Sequence, residues 1–147
     1  MAFAIAIDAI NLADDRRGMG RYVRRVIADW REDPDLRLTL AIRDQANAHV
    51  LEREFSLPVA PFSALRKQRL DAAWYPWNGM RFRSPAARSL TTIHDAFAFT
   101  YPNSGMVARW REQSPIRAAV AQSSALATVS RWSASQIEAA LGIDARR

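Results

Sequence analysis

Cysteine is absent from the 147 residues. That excludes disulfides and thiolate metal sites and fits a reducing compartment. Histidine occurs twice, as His49 and His94, and no group of His, Asp and Glu has metal-ligand spacing, so neither a metal nor another cofactor is expected. No apolar run approaches the roughly 20 residues of a membrane span. The apolar start, Met1 to Ile7, is too short for a secretory leader and is closed by Asp8. No serine stands in a G-x-S-x-G elbow, which argues against a hydrolase triad. Lysine is nearly missing as well: Lys67 is the only one among 21 basic residues. A cytoplasmic domain is the expectation.

What is present is apolar enough, at nearly half the residues, to exclude disorder and to build one full core. The net charge of +6 favours anionic partners such as phosphates, nucleotides or acidic lipid. A peripheral contact with the inner face of a membrane is compatible with it. No nucleic-acid-binding motif accompanies the charge, so nucleic acid is not expected as a partner.

The chain reads as alternating strands and helices. Strands are expected at Phe3 to Ile7, Leu36 to Ile42, Leu57 to Ala60, Ala72 to Tyr75, Arg88 to Ile93 and Ala125 to Val129. Pro58 marks the third as irregular or an edge. Helices are expected at Arg21 to Trp30, where Tyr22, Val26 and Trp30 step by four, and at Ala46 to Phe55. Ser63 would cap a helix over Ala64 to Leu70, and Ser133 one over Ala134 to Leu141, which Gly142 ends. Ser104 to Gln122 is helical, kinked or split by Pro115. Pro76 to Pro85 and the aromatic segment Ala96 to Asn103 are loops. The alternation implies a single Rossmann-like α/β domain, three-layered, with a mostly parallel sheet.

Two stretches carry chemistry. The strand Leu90 to Ile93 ends in His94 and Asp95, and in an open parallel sheet ligands bind at that end. His94 can orient a hydroxyl or share a proton near neutral pH, with Asp95 positioning it or binding a sugar hydroxyl. Alternatively, one caps the next loop and the other is a satisfied polar group. His49 sits on a surface helix. The second stretch is the turn Gly18-Met19-Gly20 before a helix, where bare backbone and a helix N-terminus can receive a phosphate, or where two glycines simply turn the chain. Arg16, Arg17, Arg21, Arg24 and Arg25 bracket it, the last two expected on a solvated face. Trp77, Phe82, Phe97, Phe99 and Trp110 line an acceptor cleft, touch lipid or are simply core residues.

Several stretches together resemble the family 4 glycosyltransferases of the two-domain GT-B fold. They are Ile5 to Leu12 followed by Gly18 to Tyr22; Asp71 to Asn78; Ser89 to Asp95 with Tyr101-Pro102 downstream; and Ala127 to Ser130 followed by Ser133 and the helix to Leu141-Gly142. The resemblance covers nearly the whole chain. It implies the N-terminal, acceptor-side half of a GT-B enzyme that retains anomeric configuration without a metal. Gly18, Met19, Gly20 and Arg21 would approach the diphosphate of a nucleotide-sugar donor. His94 would contact the transferred sugar or the acceptor, supported by Asp95. Asp8, Trp77, Asn78 and Phe97 would face a saccharide or lipid-linked acceptor. Ile10 stands where the family often carries arginine, so that contact has no counterpart here.

Relatives of this kind continue beyond the position of Arg146-Arg147 into one more strand, a linker and a donor-binding domain. The 147 residues alone are therefore expected to be inactive or nearly so, with an exposed sheet edge that invites self-association. The alternative is a stand-alone, non-catalytic module that docks onto a partner glycosyltransferase or a membrane surface.

Overall fold

A computed structural model describes residues 2–144. Six strands, β1 (Phe3–Asp8), β2 (Leu36–Ile42), β3 (Val59–Pro61), β4 (Ala72–Tyr75), β5 (Arg88–Thr92) and β6 (Ala125–Ala127), form one sheet in the order β3-β2-β1-β4-β5-β6, every pair parallel. Six helices connect and cover them: α1 (Gly18–Arg31), α2 (Ala48–Phe55), α3 (Phe62–Leu65), α4 (Phe97–Thr100), α5 (Met106–Gln122) and α6 (Arg131–Leu141). The domain is a three-layer, Rossmann-like α/β sheet. Arg146 and Arg147 lie outside the described residues.

Residue size along β1 explains the two faces. Side chains alternate across a strand. Ile5 and Ile7 point to the layer of α1 and α2, where they meet Val23, Ile27, Leu51 and Phe55. Ala6, with Ala41 and Ala73 from neighbouring strands, points to the other layer, where Phe62, Leu65 and Ala119 pack. Fully burying Val23 and Ile27 contributes about 2 kcal/mol each. A smaller cluster of Ile93, Ala96, Ile116 and Ile137 seats α6 against the β5 end of the sheet.

The expected strands all form, with ends moved by up to two residues, and β3, which starts just after Pro58, is an edge of the sheet as that proline suggested. The helices need more correction. α1 begins at Gly18, so the glycine pair is its first turn rather than a loop before it. α3 is a single turn over Phe62–Leu65 that contains Ser63, and no side chain caps it. The aromatic segment after Asp95 contains the short helix α4. α5 is one helix with Pro115 inside it. The ring costs an intrahelical bond, but Pro115 is buried, and its carbonyl accepts the Met80 N–H at 2.8 Å. α6 starts three residues earlier than expected because Ser130, not Ser133, is the cap: its hydroxyl accepts the Ser133 N–H at 3.0 Å.

Candidate functional site

The strand order reverses direction of growth between β1 and β4. At such a switch point the connections leave on opposite sides, and a crevice opens at the carboxyl ends of the two strands. β1 ends there in Asp8, β4 runs on into Pro76, Trp77 and Asn78, and neighbouring β5 runs on into His94 and Asp95.

These residues are tied together. The Trp77 indole N–H donates to the Asp8 carbonyl at 2.7 Å, across 69 residues of sequence. Asn78 takes a left-handed backbone conformation, φ +58°, which asparagine tolerates better than most residues. Its Oδ1 accepts the His94 N–H at 2.9 Å and, more weakly, the Asp95 N–H at 3.5 Å. Gly79, at φ +137°, follows; a Cβ there would stand 2.6 Å from the Pro115 backbone. The loop is thereby wedged between the end of β5 and the middle of α5.

His94 Nε2 lies 2.7 Å from the Pro76 carbonyl. A carbonyl can only accept, so Nε2 carries a hydrogen, and Nδ1 of the neutral ring keeps the lone pair. The ring meets Tyr22 of α1 edge-on, centroids 5.3 Å apart. Asp95 Oδ1 accepts the Phe97 N–H at 3.0 Å and so starts the turn of α4. The loop-capping alternative thus describes Asp95 as it stands.

Asp8 is 2 % exposed. Its Oδ1 accepts the Ile10 N–H at 3.1 Å. Burial pushes the carboxyl up to about 7, against the opposing pull of that N–H and of the Arg81 guanidinium. Near neutrality Asp8 therefore exists in both protonation states and can donate or accept a hydrogen bond. Burial likewise raises Tyr75 to about 12; Asp8 adds to the rise, while Ser84 and Arg66 oppose it.

The α1 end of the crevice has an unusual charge balance. The first intrahelical bond runs from Arg21 N–H to the Arg17 carbonyl at 2.8 Å, leaving the N–H groups of Gly18, Met19 and Gly20 ahead of it. No side chain caps the helix, and its first turn holds no acid. Arg16 and Arg17 pair with Glu54 and Asp15 at 3.2 and 3.8 Å, but among the described residues Arg21 joins no ion pair. Cations beside the positive end of a helix dipole are unfavourable, and a bound anion relieves that.

The two glycines differ in role. A Cβ on Gly20 would stand 1.9 Å from the Asp15 carbonyl oxygen, whereas one on Gly18 would have no atom within 4 Å. Gly20 is glycine for packing; Gly18 is the open approach.

The expected residues sort accordingly. Asp8, Asn78, His94 and Asp95 converge at the switch point, with α1 beside them through Tyr22. Trp77 is only 4 % exposed and acts on the site through its bond to Asp8 rather than by offering a face. Phe97, 61 % exposed, projects from α4 with Tyr101.

Arg24 is the residue that sequence reasoning misplaced. It is not on a solvated face: its guanidinium donates to the carbonyls of Leu12, Asp15 and Gly20 and to Glu54, holding the 9–17 loop onto α1. Its position one turn after Gly20 was the available signal, because the bare glycine leaves room for a long side chain to fold back. Arg25, by contrast, is exposed and pairs with Asp29 at 3.1 Å.

Among the described residues no group of three or more His, Cys, Asp or Glu could hold a metal ion, and no helix is long and apolar enough to cross a membrane. No protein-family model matches this sequence, and no curated protein matches it.

Proposed function

We propose that this domain is the acceptor-side half of a retaining glycosyltransferase of the GT-B type, which moves a sugar from a nucleotide-sugar donor to a saccharide or lipid-linked acceptor. The observation that carries the reading is the convergence at the β1/β4 switch point. An uncapped helix N-terminus lies there, with Gly18 open and Arg21 in no ion pair among the described residues. Asp8 at the end of β1 and His94 after β5 complete it, one held through Trp77 and the other through Asn78.

In the reaction, negative charge builds on the leaving diphosphate. The N–H groups of Gly18, Met19 and Gly20 and the Arg21 guanidinium supply preorganised positive charge to it. His94 Nδ1 accepts a hydrogen bond from a sugar hydroxyl and holds the transferred sugar in place. Asp95 shapes the turn that follows. Asn78, half-buried, lies on the acceptor side with the Asp8 carboxyl buried behind it, and Phe97 offers a ring at the rim. The nucleotide of the donor belongs on a second, C-terminal domain.

The test is transfer from labelled nucleotide sugars by the natural protein that carries these residues, without added metal. Wild type is expected to transfer with retention, and His94→Ala to lower turnover by roughly 10²-fold, the scale of losing a positioning or proton-sharing group. Undiminished transfer by His94→Ala removes His94 from the site. The 147 residues alone are expected to be inactive; turnover on the ordinary enzyme scale of about 1–10³ s⁻¹ overturns the assignment as half an enzyme.

A second reading rests on β6, which among the described residues pairs with β5 alone and so forms an edge of the sheet. The domain would then be a non-catalytic module docked through that edge on a partner glycosyltransferase. A donor-domain chain copurifying in fixed stoichiometry would favour it.

A further inference from the structure

A groove of about 490 Å³ lies between the 76–85 loop and α5, lined by Met80, Arg81, Trp110, Arg111, Ser114 and Pro115 among others. Its floor is rigid, because Gly79 packs on Pro115 and the Met80 N–H bonds the Pro115 carbonyl. The lining holds two guanidinium groups and no carboxylate. Arg81 also pulls on the Asp8 carboxyl, which places the groove beside the crevice described above.

The outer wall is unusual for a surface helix. Residues three and four apart share a helix face, so Met106 and Val107 continue the face of Trp110, Arg111 and Ser114 outward. Met106, Val107 and Trp110 are 84 %, 65 % and 69 % exposed. Glu112, the acid of this helix half, falls on the opposite side. Groove and face together therefore run from two arginines at the inner end, Arg81 of the loop and Arg111 of α5, to an apolar stripe at the outer end. Their complement has an anionic group at one end and hydrocarbon at the other.

We propose that this face of α5 seats a lipid-linked phosphate, with the phosphate between Arg81 and Arg111 and the first part of the hydrocarbon along Trp110, Val107 and Met106. Guanidinium groups hold phosphate through charge-assisted, paired hydrogen bonds. An indole suits the boundary between headgroup and hydrocarbon, being apolar in body with one polar edge. The proposal rests on the acceptor-side reading of the neighbouring crevice and names the acceptor class: a sugar or phosphate carried on a lipid.

The experiment is cosedimentation of the 147-residue protein with zwitterionic vesicles that carry either a polyprenyl phosphate or the uncharged polyprenol. Binding is expected to the phosphate-bearing vesicles and not to the polyprenol vesicles. Arg81→Gln with Arg111→Gln should weaken it by roughly tenfold to thirtyfold, on a scale of about 1 kcal/mol per arginine near a membrane surface. Arg111→Gln alone, which leaves the Arg81–Asp8 interaction in place, should give part of that loss, and Trp110→Ser a loss of its own. Arg37→Gln with Arg53→Gln removes the same charge from exposed positions elsewhere and should change nothing.

An equal loss in that control pair overturns the proposal in favour of diffuse charge. Equal binding to both vesicle types overturns it in favour of apolar insertion. Binding of a soluble sugar 1-phosphate that depends on Arg81 and Arg111, with no preference for vesicles, assigns the groove to a free phosphate and overturns the lipid part. No donor or transfer step enters this assay. Vesicle binding without any transferase activity in the natural protein would leave the groove standing and sink the transferase reading, and the reverse pattern would do the opposite.

Discussion

The buried carboxyl of Asp8 makes a quantitative claim about stability against pH. Its ordinary value is 3.8, and in the folded protein it stands at about 7, with desolvation as the largest cause. Between those two values the folded chain keeps the proton that the unfolded chain has released. The folded state binds more protons there, so stability falls as pH rises across that window. The contribution is fully present below about pH 4 and is lost once pH passes about 7. Its size follows from the shift of about three units at 1.36 kcal/mol each, about 4 kcal/mol in all. That is a large share of the roughly 5–15 kcal/mol that holds a domain together.

Asp8→Asn keeps an oxygen for the Ile10 N–H and removes the titration. The measurement is urea unfolding followed by tryptophan fluorescence at intervals from pH 4 to 9, wild type beside Asp8→Asn. Other groups titrate in both proteins, so the difference between the two curves isolates Asp8. That difference should grow by about 4 kcal/mol in favour of the variant as pH rises through the window, at a nearly constant slope of about 1.36 kcal/mol per pH unit that flattens above about pH 7. Parallel curves would show that Asp8 ionises normally, and the account of a dry carboxyl at the end of β1 would be refuted.

Gly20→Ala should cost about 2 kcal/mol or more, because a core-like clash forces the Asp15 carbonyl to move. Gly18→Ala should leave the unfolding midpoint unchanged and, on the proposed transferase reading, raise KM for the nucleotide sugar in the natural protein; the opposite pattern would exchange their roles. Asn78→Gly keeps the φ +58° backbone and loses the bond to the His94 N–H, whereas Asn78→Ala also bears left-handed strain of about 1–2 kcal/mol. Denaturation should therefore rank Ala below Gly, and turnover should fall in both; equal stability would mean that the backbone conformation costs little. The free side of β6 should give concentration-dependent self-association in sedimentation velocity, suppressed by Val129→Lys beside that edge. A monomer at every concentration would count against an open edge.

The sheet was legible because β1, β2 and β4 carry patterns that few other structures satisfy. Ile5 and Ile7 interleaved with Ala4 and Ala6 specify a strand with one deep face and one shallow face. The stripe of α1 was equally plain, since Val23 and Ile27 had no alternative burial. Its start was not. Gly18 and Gly20 weigh against helix by propensity, and the contact that demands glycine at position 20 comes from Asp15, a partner that only the folded loop supplies. Ser130 and Ser133 compete for one cap, and their backbone angles decide it, not their identities.

At the site, the position of His94 and Asp95 at a strand end was readable from β-branched residues that stop at Ile93. The bond from Asn78 to His94 was not, because nothing local announces a partner 16 residues away. The protonation behaviour of Asp8 was least legible of all. It depends on the burial of the end of β1 in the folded sheet, with the Ile10 N–H and Arg81 opposing it, and a carboxyl in the sequence carries no mark of how dry it will become.

The switch point also has a consequence for the order in which the chain assembles. β1 is the central strand, yet its second partner lies 67 residues downstream, as the bond between Asp71 and Ala4 shows. On a ribosome that adds about 5–20 residues per second, β1, β2 and β3 can pair once residue 61 is free. The other flank of β1 stays open until β4 is made. The Asp8 carbonyl has no indole partner before Trp77 arrives, and the His94 N–H takes its partner from Asn78. The crevice at the switch point is thus the last part of the β1–β5 sheet to close, and a nascent chain that stalls between residues 61 and 72 presents the central strand of the domain as a bare edge to its neighbours.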